Sequence, residues 1–134
     1  NEATIRFAGG GEMLMLVRRE GDDKMGLLGS SQAPYTDWSW QKLDFRLGGP
    51  NFDIIPINKL LIATRMYDDN GNYTALLLGK KGEPFREVMR LPSGGDTSYA
   101  GMFSISGFVW LSYYSSHEGK TAVYYARIPY SALQ

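Results

Sequence analysis

Glu12-Met13-Leu14-Met15-Leu16-Val17-Arg18-Arg19 constrains the architecture of this chain more than any other run. Its centre is apolar without a break, so strand alternation puts Met13, Met15 and Val17 on one face and Leu14 and Leu16 on the other. A strand with one wet face alternates apolar with polar. A strand apolar on both faces belongs to a sheet packed between two neighbouring sheets. The stretch is entered through Gly9-Gly10-Gly11, which permits the positive φ of a tight hairpin turn, and Ala3-Thr4-Ile5-Arg6-Phe7 before it is the partner strand.

The same unit recurs. Asn51 to Ile55 followed by Lys59 to Met66 is a second pair of strands, turning at Ile57-Asn58; Gly101 to Ile105 followed by Phe108 to Tyr114 is a third, turning at Ser106-Gly107. A third strand follows each pair, at Lys24 to Ser30, Tyr73 to Lys80 and Lys120 to Ile128. A fourth follows twice, at Trp40 to Leu47 and Phe85 to Leu91. Arg18 and Arg65 are 47 residues apart, as are Thr74 and Thr121, which is the period of a propeller blade. No stretch shows helical periodicity. The expected fold is therefore all-β: a β-propeller fragment of three four-stranded antiparallel blades, about 1–48, 49–95 and 96–134, the last lacking its outer strand. A sandwich of hairpins is the rival architecture, but it would not require so regular a spacing.

Composition narrows the chemistry. Fourteen basic and 14 acidic residues balance to zero, and no Lys/Arg stripe marks any segment, so nucleic acid is not an expected partner. The absence of cysteine removes disulfide frameworks, thiolate metal sites and cysteine nucleophiles, and the single histidine, His117, removes multi-histidine metal sites. No metal or cofactor is expected. No apolar run has the length of a membrane span, the first residues carry no leader-like pattern, and composition does not set the compartment.

Several motifs together resemble the sialidase superfamily of six-bladed propellers, with its Asp-box (BNR) repeats. Glu2 before a strand, with Arg18 after the next, is similar to that family's glutamate and second substrate-binding arginine. Gly48-Gly49-Pro50-Asn51-Phe52 looks like the Gly-Pro entry to the following blade, and Asp96-Thr97-Ser98-Tyr99-Ala100-Gly101-Met102 resembles the segment with the nucleophilic tyrosine. Ser31 to Trp38 is similar to an Asp-box without its Asp and central Gly. The resemblance implies a glycoside hydrolase fragment or carbohydrate-binding propeller for an acidic sugar, with Tyr99 and Glu2 as catalytic residues, Arg18, Arg65, Asn51 and Asp96 as substrate-binding ones, and a secreted or periplasmic setting. It also implies gaps. The family's acid/base aspartate and first triad arginine belong to blades before Asn1, and where the third arginine is expected the chain reads Asp68-Asp69-Asn70-Gly71-Asn72. Hydrolysis by the isolated chain is not expected; a non-catalytic interaction scaffold or an orphaned fragment is the alternative.

Geometry groups these residues independently of any family. In an antiparallel hairpin the start of the first strand lies beside the end of the second, so Glu2 and Arg18 share one rim, Asn51 and Arg65 the same rim on the next blade, and Tyr99, Tyr113 and Tyr114 on the third. A phenol with an ordinary pKa of about 10 needs a base to act as a nucleophile, and Glu2 would be that base; Arg18 would offer its planar fork to a substrate carboxylate. His117 reads as a turn residue, and Trp38, Trp40 and Trp110 as blade core. Three stacked blades leave an apolar face bare at each end, drawn from Ile5, Phe7, Met13 and Met15 and from Phe103, Val109, Trp110 and Leu111. The expected remedy is a homodimer closing a six-bladed ring, or association with further blades.

Overall fold

Each hairpin turn falls where the backbone enters the left-handed region: Gly10 and Gly11 at φ 73° and 77°, Ile57 and Asn58 at 65° and 54°, Ser106 and Gly107 at 52° and 84°. These turns and the loops between them divide the chain, a computed structural model describing residues 1–134, into eleven strands. They are β1 (Glu2–Phe7), β2 (Met13–Arg18), β3 (Met25–Ser31), β4 (Ser39–Arg46), β5 (Asn51–Ile55), β6 (Lys59–Asp68), β7 (Gly71–Gly79), β8 (Arg86–Arg90), β9 (Ser98–Ile105), β10 (Phe108–Ser115) and β11 (Ala122–Pro129). Every sheet is an antiparallel meander: β1-β2-β3-β4, β5-β6-β7-β8 and β9-β10-β11. The fold is all-β, with sheets of four, four and three strands.

The core lies between the sheets, in two layers. Leu14, Leu16, Leu28 and Phe45 of the first sheet meet Phe52, Leu60, Ile62 and Leu77 of the second. Leu61, Ala63, Leu76 and Leu78, on the other face of that second sheet, meet Val109, Leu111, Tyr113 and Ile128 of the third. Alternation along β6 therefore feeds both layers, and its neighbours Leu61 and Ile62 are each fully buried on opposite sides. Stacking brings the strand ends that carry Glu2, Arg18, Arg65 and Tyr99 to one rim, with the hairpin turns at the other.

Four expectations need correction. Val109 and Leu111 are not on the bare end face: both are buried against the middle sheet, because alternation sends them opposite to Trp110. Tyr113 points the same inward way and donates its hydroxyl to the Pro92 carbonyl at 2.7 Å, so it is core and not rim. The tryptophans are outside both core layers: Trp38 and Trp40 stack on each other (centroids 5.6 Å apart) at the free side of the first sheet, and Trp110 lies on that of the third. The first strand of the third sheet also begins earlier than the apolar pattern suggests, at Ser98 rather than Gly101.

Candidate functional site

Glu2 and Arg18 are cross-strand partners at the end of the first sheet, and Arg18 Nη1 lies 3.1 Å from Glu2 Oε1. The same oxygen accepts the Tyr99 hydroxyl at 2.5 Å, joining the third sheet to the first across the edge of the second. The other oxygen, Oε2, is buried without a partner. Arg18 Nε donates to Glu20 at 2.6 Å; Glu20 in turn accepts from Arg46 Nη2 at 3.0 Å, and the Arg46 guanidinium lies 4.2 Å above the Tyr67 ring.

Tyr99 reaches Glu2 because its backbone is bent out of the strand. The pairing of β9 with β10 shifts register after Gly101↔Ser112, and Tyr99 sits at φ 51°, where a bulky residue is strained. What holds it there is the link between the first two sheets. Ser98 Oγ donates to the carbonyls of Gly48 and Gly49, at 2.5 and 3.1 Å. Gly49 itself has φ 53°, and a Cβ on it would come within 2.9 Å of Tyr99 Cδ2, so only glycine allows the approach. Strain of this kind collects at functional positions.

Arg65 approaches from the middle sheet. Its Nε donates to the Thr97 carbonyl at 2.8 Å, and its Nη2 contacts the Tyr114 hydroxyl at 3.2 Å and Asp96 Oδ1 at 3.3 Å. Tyr114 donates to the same Asp96 oxygen at 2.8 Å, and its ring stacks on that of Tyr99, 14° from parallel with centroids 6.1 Å apart. Asn51 plays a different part. Its Nδ2 donates to the Ala100 carbonyl and its Oδ1 accepts from Arg6, both at 2.8 Å, so it ties the innermost strands of all three sheets together.

Electrostatics follow from these contacts. The Tyr99 phenol is raised above its ordinary pKa, first by donating to Glu2, then by partial desolvation and the Glu2 charge. Tyr114 is raised by burial and by its hydrogen bond to Asp96. For Arg18 burial opposes the charge, but Glu20 and Glu2 outweigh it and hold the guanidinium above its usual value. Glu20 is lowered by its hydrogen bond to Arg18.

The structure thus brings Glu2, Arg18 and Tyr99 into one cluster, Arg65 and Asp96 into an adjoining one through Tyr114, and Asn51 into the clamp below. Sequence reasoning missed Glu20, Arg46, Tyr67 and Ser98; the Gly48-Gly49 pair was the one visible hint of a close approach. No group of three or more His, Asp or Glu side chains is placed to hold a metal ion. A cleft of about 480 Å³, lined by Glu12, Asn58 and Lys81 among others, opens at the hairpin-turn rim, away from these clusters.

No family model matches the sequence, and no curated protein matches it. Among solved structures, two of a family 93 α-L-arabinofuranosidase of Fusarium graminearum, one with arabinobiose and one with an iminosugar inhibitor, superpose with a TM-score of 0.76 at 10% identity. Both matches cover 95% of this chain, and the chain spans 44% of the matched chains' length. At that identity the likeness speaks for the fold alone: the three antiparallel sheets match part of that protein's propeller.

Proposed function

We propose that the rim carrying Glu2, Arg18 and Tyr99 is the sugar-binding side of a glycoside-hydrolase-like propeller. The observation that carries this reading is the hydroxyl of Tyr99, exposed, held in a strained backbone and donating to Glu2 at 2.5 Å. Tyrosine nucleophiles are a known exception to the two-carboxylate plan of glycosidases. In an attack on an anomeric carbon the phenolic oxygen forms the new C–O bond and its proton passes to Glu2 Oε1, while the departing glycosidic oxygen takes a proton from an acid. No carboxylate of the clusters suits that last duty, because Glu2 is paired with Arg18, Glu20 with Arg18 and Arg46, and Asp96 with Arg65. The acid has to come from outside the three blades, and the chain alone binds without hydrolysing.

The same pairing bears on the ligand. A guanidinium that recognises a substrate carboxylate offers a free fork, yet Arg18 is taken up by Glu2 and Glu20, and Arg65 by Thr97, Asp96 and Tyr114. This favours a neutral sugar such as arabinobiose over an acidic one. It also favours a second reading, a propeller used as an interaction scaffold, whose ion pairs serve only structure.

Calorimetric titration with arabinobiose and, separately, sialic acid tests both. Saturable arabinobiose binding, weakened about tenfold by Tyr99→Phe through loss of one hydrogen bond worth ~1.4 kcal/mol, supports the proposal. Preference for sialic acid, lost in Arg18→Ala, restores the acidic-sugar reading. Binding of neither sugar leaves the scaffold. Release of a fluorogenic aglycone by the isolated chain would overturn the view that it lacks its acid.

A further inference from the structure

The two end faces of the three-sheet stack are bare and apolar. Ile5, Phe7 and Trp40 are exposed on one, Phe103, Ile105 and Tyr125 on the other. Each face is organised. Cross-strand register runs Ile5, Met15, Gly29, Trp40 in one row across the first sheet, and Phe103 and Trp110 stand opposite one another on the third, their rings 9° from parallel.

The internal repeat says what covers such faces. At steps of 47 residues Ile5 corresponds to Phe52 and Met15 to Ile62, and in the middle sheet that face is fully buried by the preceding one. At the same step Leu16 corresponds to Ala63, and the hairpin turns, 49 residues apart from Asn58 to Gly107, match Trp110 to Leu61 on that same face; in the first two sheets that face is fully buried by the sheet that follows. The bare face of the first sheet is therefore of the kind that receives a preceding blade. The bare face of the third is of the kind that covers a following one. One chain carries both halves of the junction that it forms internally twice.

From this equivalence we propose that a second copy of this chain docks head to tail, Phe103 and Trp110 of each copy on Ile5, Met15 and Trp40 of the other. Three blades occupy about half of a six-bladed circuit, in keeping with the 44% span of the matched chains, so two junctions close a ring and leave no free face. Both junctions repeat the internal rotation, which brings the two Glu2–Tyr99 clusters to one side of the ring. The inference is independent of what that rim binds.

Light scattering after gel filtration at tens of micromolar tests it. The expected mass is twice the 15.0 kDa chain. Trp110→Glu and Met15→Glu, one on each face, are each expected to run as folded monomers by circular dichroism. Mixed in equal amounts they are expected to recover a dimer, because one junction of the mixed pair then joins two unmodified faces. If Trp110→Glu does not fold, Tyr125→Glu, at 66% exposure, takes its place. A monomeric parent chain overturns the proposal. So does a dimer that survives Met15→Glu, which would be face to like face, and so does a mass that keeps growing with concentration, which would be an open filament.

Discussion

The middle sheet and its two neighbours are built from one repeat, yet they live in different surroundings. Leu61, Ile62, Ala63 and Leu76 of the middle sheet are 0% exposed. At the outer sheets Ile5 is 41% and Phe103 57% exposed. Ile62 and Met15 occupy equivalent positions one period apart, and only Ile62 is sealed. Burial here is a property of the neighbour and not of the strand. The strand's contribution is to be apolar on both faces, which is stable only where both are covered.

Paired substitutions test that contrast. Ile62→Ala is expected to cost about 2–5 kcal/mol, read from the urea midpoint, because it opens a cavity in a closed layer. Met15→Ala, at the equivalent place on a bare face, is expected to cost less than about 1 kcal/mol in dilute solution, and equal costs would erase the distinction. At the seam between sheets, Gly49→Ala is expected to cost about 1–3 kcal/mol and to displace Tyr99, since its positive φ and the crowding by Ser98 and Tyr99 act together. Gly10→Ala, also at positive φ but with open space around it, is expected to cost about 1–2 kcal/mol.

Coverage by a second copy has its own signature. The melting temperature of the parent chain is expected to rise with protein concentration, by about 3 °C per tenfold, and that dependence is expected to vanish in Trp110→Glu. The smallest effect concerns the rim. Glu2 raises the Tyr99 phenol, so the stabilisation from this pair is fully present below the ordinary phenol value of about 10 and is lost as pH rises through the higher folded value. Absorbance titration near 295 nm is expected to show one phenol moving back toward about 10 in Glu2→Gln, with stability at neutral pH little changed. An unmoved titration would mean that the pair does not persist in solution.

Much of the fold was legible because meander sheets are local. Apolar alternation and turn residues mark ten of the eleven strands nearly to their ends, and the 47-residue step sets the first two sheets in register with one another, while the turn of the third follows that of the second at 49 residues. The errors have two causes. Parity along β10 separates Val109 and Leu111 from Trp110, but which set faces inward depends on how the sheet stacks, and that lies outside the strand. β9 was read short because Ser98 and Tyr99 do not continue its apolar pattern; their place is set by the Gly48-Gly49 carbonyls, about fifty residues away. At the rim, Glu2 and Arg18 are hairpin neighbours and so were open to inference, as was the position of Tyr99. The partners of Arg65 come from the next sheet, and no spacing within its own hairpin announces them.

The hydrogen bond from Tyr99 to Glu2 spans 97 residues of a chain whose strand pairings are otherwise almost entirely between sequence neighbours. Folding follows the opposite order from chemistry. Local hairpins close cheaply and early, whereas a contact across three sheets pays its loop-closure entropy only once those sheets have stacked. The Tyr99–Glu2 contact is therefore expected to form after the hairpins that carry it. A partly folded chain can hold the Glu2–Arg18 pair of the first hairpin, but Tyr99 reaches Glu2 only when all three sheets are stacked.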